Sequence, residues 1–117
     1  DPFAKEGLRS FLGVPHEMDE NDGRILGGYI RYMLDVQQVP YEMVRWTKDE
    51  TWIRVKSEDF TARYEMAPLD ELVDAYEAQW NGAAKTLVSP EWSCMIEGRN
   101  EEDMYIKVIR KEDARML

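Results

Sequence analysis

Apolar and polar positions along the chain switch between two periods, and the period marks the elements. Phe3, Ala4, Leu8, Phe11 and Leu12 recur at helical spacing and predict a short helix over 3–12, ended by Gly13 and Pro15. The polar stretch from His16 to Asp22 reads as a loop, with Asp19 or Asp22 placed to cap the next helix. Ile25, Leu26, Tyr29, Ile30, Met33 and Leu34 then form one apolar stripe, which predicts a helix over 24–37, closed by Val39-Pro40. Two short β-prone runs, YEMVRW and TWIRVK, flank a polar turn and predict a hairpin. Its register has two sensible solutions. A three-residue loop at 48–50 sets Trp46 opposite Trp52 and Glu42 opposite Lys56. A four-residue loop from Thr47 sets Val44 opposite Ile53 and Arg45 opposite Trp52.

The second half repeats the order. The stretch 57–67 is a connector, a short strand or one helical turn. Pro68 suits the first turn of a helix, Asp70 and Glu71 suit its positive end, and Leu69, Leu72, Val73, Tyr76 and Trp80 give it an apolar stripe. The predicted helix spans 68–81, capped at Asn81-Gly82 or continuing through Ala83, Ala84 and Leu87. After the break at Ser89-Pro90, WSCMIE and MYIKVIR form a second hairpin around 98–103. Thr51-Trp52-Ile53-Arg54-Val55 and Met104-Tyr105-Ile106-Lys107-Val108 share the order aromatic, Ile, base, Val. An αββ unit used twice would give a four-stranded antiparallel sheet with helices on one face. The expected fold is therefore α+β in a single domain over 1–117. It divides into an N-terminal helix and acidic loop (1–22), a helix plus hairpin (24–57) and a helix plus hairpin (68–110).

Composition narrows the function classes. The 117 residues carry 24 Asp+Glu against 15 Lys+Arg, a net charge of -9. Such a surplus argues against nucleic acid and against an anionic membrane as partners. The charge is uneven: residues 1–23 hold six acids and two bases, 24–63 six acids and seven bases, and 64–117 twelve acids and six bases. A near-neutral block thus sits between two acidic flanks. No run of about 18 apolar residues could span a membrane. The first residues lack a basic-then-apolar leader, so a cytoplasmic location is expected. A single cysteine makes no internal disulfide and no multi-thiolate metal site.

Candidate chemistry is sparse. The acidic loop with His16 fails the calcium-loop pattern, because Arg24 and Ile30 stand where glycine and an acid are required. Gly27-Gly28 lacks the preceding strand of a phosphate loop and reads as a site of close packing. No metal or cofactor is implied. Glu97, Tyr105, His16 and Cys94 are the candidate catalytic groups, and no complete catalytic constellation joins them. Four Trp, six Tyr, three Phe and seven Met are the least ordinary feature. They have three uses: core, partner interface or ligand pocket. Trp46, Trp52, Trp80 and Trp92 would wall a pocket for a small aromatic or apolar ligand, with Arg99 as a polar group. Alternatively Arg45, Arg54, Trp46 and Trp52 of the first hairpin form a contact surface, since Arg and Trp anchor interfaces. The expected function is a non-catalytic accessory or small subunit of a larger assembly, with a protein partner or a homo-oligomer. The alternative is a small-ligand-binding or enzymatic domain.

Overall fold

The computed structural model describes residues 22–62, 68–99 and 101–114. The predicted helix 3–12, the acidic loop from His16 up to residue 21, the part of the connector over 63–67, and Asn100 of the second turn lie outside them.

Helix α1 runs over Gly23–Val36. Its N-cap is Asp22, whose carboxylate accepts the Arg24 backbone N–H at 2.9 Å and also holds the Arg24 guanidinium at 2.8 Å. That settles the choice between Asp19 and Asp22. The helix ends before Val39-Pro40, at a left-handed turn on Gln38 (φ 59°). There the Val39 N–H donates to Leu34 O and the Gln38 N–H to Asp35 O, which pairs two carbonyls the helix end would leave open.

Strands β1 (Glu42–Trp46) and β2 (Thr51–Lys56) form the first hairpin. Near the turn the four-residue loop prevails, with Arg45 opposite Trp52 and Trp46 opposite Thr51. A bulge at Val44 then shifts the ladder, so that Met43 rather than Val44 faces Ile53 and Glu42 faces Arg54. The bulge absorbs one residue and returns Met43 to the core side. Thr47 holds the turn together, its hydroxyl accepting the Glu50 N–H at 3.1 Å.

The connector is helical over Ser57–Ala62 (α2). Helix α3 spans Leu69–Leu87 and continues through Asn81-Gly82; Pro68 is its N-cap rather than its first turn. Strands β3 (Trp92–Glu97) and β4 (Asp103–Arg110) form the second hairpin, and Lys111–Ala114 makes a last turn, α4.

The four strands form one antiparallel sheet in the order β1-β2-β4-β3. The two central strands pair with Ile53 opposite Ile106, Thr51 opposite Val108 and Val55 opposite Met104. These are the segments whose sequences match, and the pairing is symmetric about the matched isoleucines. This is the register that two copies of an αββ unit take when a local two-fold axis relates them.

Strand residues alternate between faces. On the first face Thr51, Ile53, Val55, Met104, Ile106, Val108, Trp92, Cys94 and Ile96 are buried. They meet Ile25, Leu26, Ile30 and Leu34 of α1, Phe60 of α2, and Leu72, Val73, Tyr76, Trp80 and Ala84 of α3 in one core cluster. The rings of Phe60, Tyr76 and Trp80 touch in series, the first pair edge-to-face and the second tilted, with centroids 5.3 and 5.0 Å apart. The glycines of α1 mark a close approach. A Cβ on Gly27 would lie 2.4 Å from Thr51 Oγ1, and one on Gly23 would lie 2.7 Å from the Trp92 ring. Glycine costs about 1 kcal/mol in a helix interior, and here that cost admits α1 to the sheet.

Candidate functional site

The second face of the sheet is where the chemistry gathers. Because β2 and β4 are neighbours, the ladder lines up two rungs across all four strands. One reads Arg45, Trp52, Lys107, Met95; the next reads Glu42, Arg54, Tyr105, Glu97. At the centre, Trp52 and Lys107 stand over Arg54 and Tyr105, a checkerboard of two rings and two cations about the local two-fold. Trp52 lies between bases: Lys107 Nζ is 4.3 Å from its ring centroid and the Arg45 guanidinium 5.7 Å. Such contacts contribute about 0.5–1 kcal/mol at exposed sites. The acids stand outside. Glu97 holds Lys107 at 2.8 Å, Glu50 holds Arg45 at 2.6 Å, and Glu42 pairs with Arg54. Trp52, Met95 and Tyr105 are half-buried, and among the described residues the Trp52 indole N–H has no acceptor. Toward the α4 end the face closes at Ile109, which is buried opposite Ser93.

The other residues named by the sequence do not converge here. Trp46, one position from Arg45, points to the first face. Its indole N–H donates to Arg24 O at 3.1 Å and the Arg31 guanidinium lies 5.0 Å from its ring. The contact surface expected from Arg45, Arg54, Trp46 and Trp52 is thus divided by the pleat, and Trp46 leaves it. Trp80 and Trp92 are core residues, so the four tryptophans do not wall one pocket. A groove of about 410 Å³ does exist, but Tyr41, Glu42, Arg54, Lys56, Asp59 and Asp103 are among its lining and no tryptophan is.

Arg99 is occupied as well. From the second turn it reaches Asp74 at 3.0 Å, and Asp70 and Glu77 at 3.3 Å, all on one side of α3. Asp74 first, then Asp70 and Glu77, hold its guanidinium yet more firmly protonated. It fastens the hairpin turn to the helix. Cys94 is buried. Burial above all, and then the charge of Glu77, push its thiol well above the ordinary range, away from the thiolate that nucleophilic chemistry needs. Glu97 makes the cross-strand pair with Lys107 that a strand glutamate is expected to make. His16 lies outside the described residues, and among those described no three His, Cys, Asp or Glu could hold a metal ion. None of the described helices is long and apolar enough to cross a membrane.

Three residues take roles that a reading of the sequence does not find: Lys107 and Met95 on the second face, and Asn81 at the β3 edge. Lys107 and Met95 join Trp52 only because β4 lies beside β2, and the alternation in β4 was the one available signal. Asn81 is the third. Its Oδ1 accepts the Cys94 N–H at 2.8 Å and its Nδ2 donates to Cys94 O at 3.0 Å. The amide thus stands in for a neighbouring strand at Cys94 and ties the middle of the β3 edge to α3. Compared with family models, with curated proteins and with solved structures, the chain matches none.

Proposed function

We propose that this chain is a non-catalytic accessory domain or small subunit, and that it docks onto a protein partner through the second face of its sheet. The observation that carries this reading is the checkerboard of Trp52, Tyr105, Arg54 and Lys107, flanked by Arg45 and Met95 and rimmed by Glu42, Glu50 and Glu97. An aromatic and arginine centre with a polar rim is the composition of an interface hot spot. The buried thiol of Cys94 and the triply held Arg99 support a contact role over a catalytic one, since both groups are committed to the fold.

Gel filtration with light scattering on the full chain at micromolar concentration tests the reading. The expected result is an assembly, with itself or with a co-purifying protein, that Trp52→Ala dissolves. Glu71→Ala, on the exposed side of α3, leaves the assembly intact. A stable monomer with no co-purifying partner overturns the reading.

A further inference from the structure

Resting on that reading, we infer that the partner is a second copy of this chain, laid face to face on the second face about a two-fold axis that crosses the strands between the two rungs.

The ion pairs of the face select a copy over other partners. Four bases each stand beside an acid of the same chain: Arg45 with Glu50, Arg54 with Glu42, Lys107 with Glu97, and Lys56 opposite Asp103 on the ladder. These pairs leave the face neutral, in a chain whose net charge is -9. Two copies repel where their acidic surfaces meet, and least where a neutral face meets its equal. A strongly charged partner finds no unmatched charge among these pairs. A purely apolar partner buries them and offers no hydrogen bonds in return. A second copy lays pairs against pairs.

The order of residues on the rungs sets the axis. The bulge at Val44 brings Glu42 and Arg45 to the same face as neighbours along β1. When one copy is turned over about a line midway between the rungs, each strand lies antiparallel on its own equivalent. Every residue of one rung then meets the other rung's residue on the same strand. Arg45 of one copy meets Glu42 of the other, and Arg54 meets Trp52, each contact occurring twice. Opposite charges and a guanidinium against an indole are favourable partners. An axis along the strands, between β2 and β4, would set Glu42 against Glu97, two like charges, and Arg45 against Met95. The groups that reach across are the open ones: the Arg45, Arg54 and Glu42 side chains are 53%, 40% and 58% exposed. Lys107, at 16%, keeps its place between Trp52 and Glu97. Sheets packed in this way keep their strands within about 30° of each other at a spacing of about 10 Å, which arginine side chains fill.

Gel filtration with light scattering of charge-exchanged variants of the full chain tests the arrangement. The wild-type chain should run at twice its 13.8 kDa. Arg45→Glu sets an acid on Glu42 at both contacts, and Glu42→Arg sets a base on Arg45 at both. Each variant alone should raise the dimer dissociation constant roughly tenfold or more. Mixed in equal amounts, the two should associate again, because the exchanged charges now face each other. Far-UV circular dichroism checks that both fold. A mixture that associates no better than its parts, or variants as dimeric as the wild type, overturns this arrangement, while loss of the dimer in Trp52→Ala still upholds the docking surface. A chain that is monomeric alone yet holds a co-purifying protein through Trp52 overturns the second copy and leaves the docking surface standing. A dimer that Trp52→Ala leaves intact overturns both, as does a monomer without a partner.

Discussion

Single side chains carry sharp consequences here, because several sit where no alternative fits. Alanine usually improves a helix interior, yet Gly27→Ala drives a methyl group into Thr51. We expect a net loss of about 1–3 kcal/mol in urea unfolding, and partial recovery in the Gly27→Ala, Thr51→Ala double variant, which removes the Oγ1 and Cγ2 atoms at 2.4 and 2.7 Å and keeps the Cβ at 2.9 Å. Gln38 holds a left-handed conformation, φ 59°, that glycine adopts freely. Gln38→Gly should therefore stabilise by about 1 kcal/mol, read as a rise in the urea midpoint. Cys94 gives a pH dependence whose sign is fixed. Its folded pKa lies above the unfolded reference of 9.0. Near and above that pH the unfolded chain releases a proton that the native state keeps. Stability falls as pH rises, by at most about 1.4 kcal/mol per unit for one group. Cys94→Ala should flatten this part of the profile, although it also leaves a small void.

Among the elements, the two edges of the sheet are managed differently. The middle of the β3 edge is held by the Asn81 amide, so Asn81→Ala leaves the Cys94 N–H and C=O unpaired. The expected cost is about 1–3 kcal/mol, with faster hydrogen exchange at the Cys94 amide. The β1 edge is short, bulged at Val44 and charged at Glu42 and Arg45, all devices that discourage strand addition. Helix α3 shows how much of an element is legible locally. Its apolar stripe and acidic first turn are visible in the chain, and so is the possibility of running past Asn81-Gly82. Only packing on β3 explains why it runs on, because Asn81 is used there as a sheet partner rather than as a cap. The first hairpin shows the opposite limit. Both registers satisfied the side-chain pairs, and the bulge that reconciles the turn with the core is not written in local preference.

For the whole molecule, the decisive fact is that β2 lies beside β4. Ile53 and Ile106 then become the centre of the sheet, both fully buried. Each replaced by alanine should cost about 2–5 kcal/mol, and the double variant should depart from additivity because the two are cross-strand neighbours. The same adjacency assembles the candidate site. Trp52, Arg54 and Arg45 could be grouped from the first hairpin alone. Joining them to Lys107, Tyr105 and Met95 required the strand order, and removing Trp46 required the pleat. What the chain determines by itself is what short-range periodicity can carry: helices α1 and α3, two hairpins, the α+β class and the matched strand segments. Its tertiary structure decided the order of the strands, the bulge, the tryptophans that become core and the single one that meets the second face. Those outcomes depend on contacts between residues some fifty positions apart, such as Trp52 with Lys107. Local spacing carries no record of such contacts, because burial of the whole apolar surface against α1 and α3 selects them together.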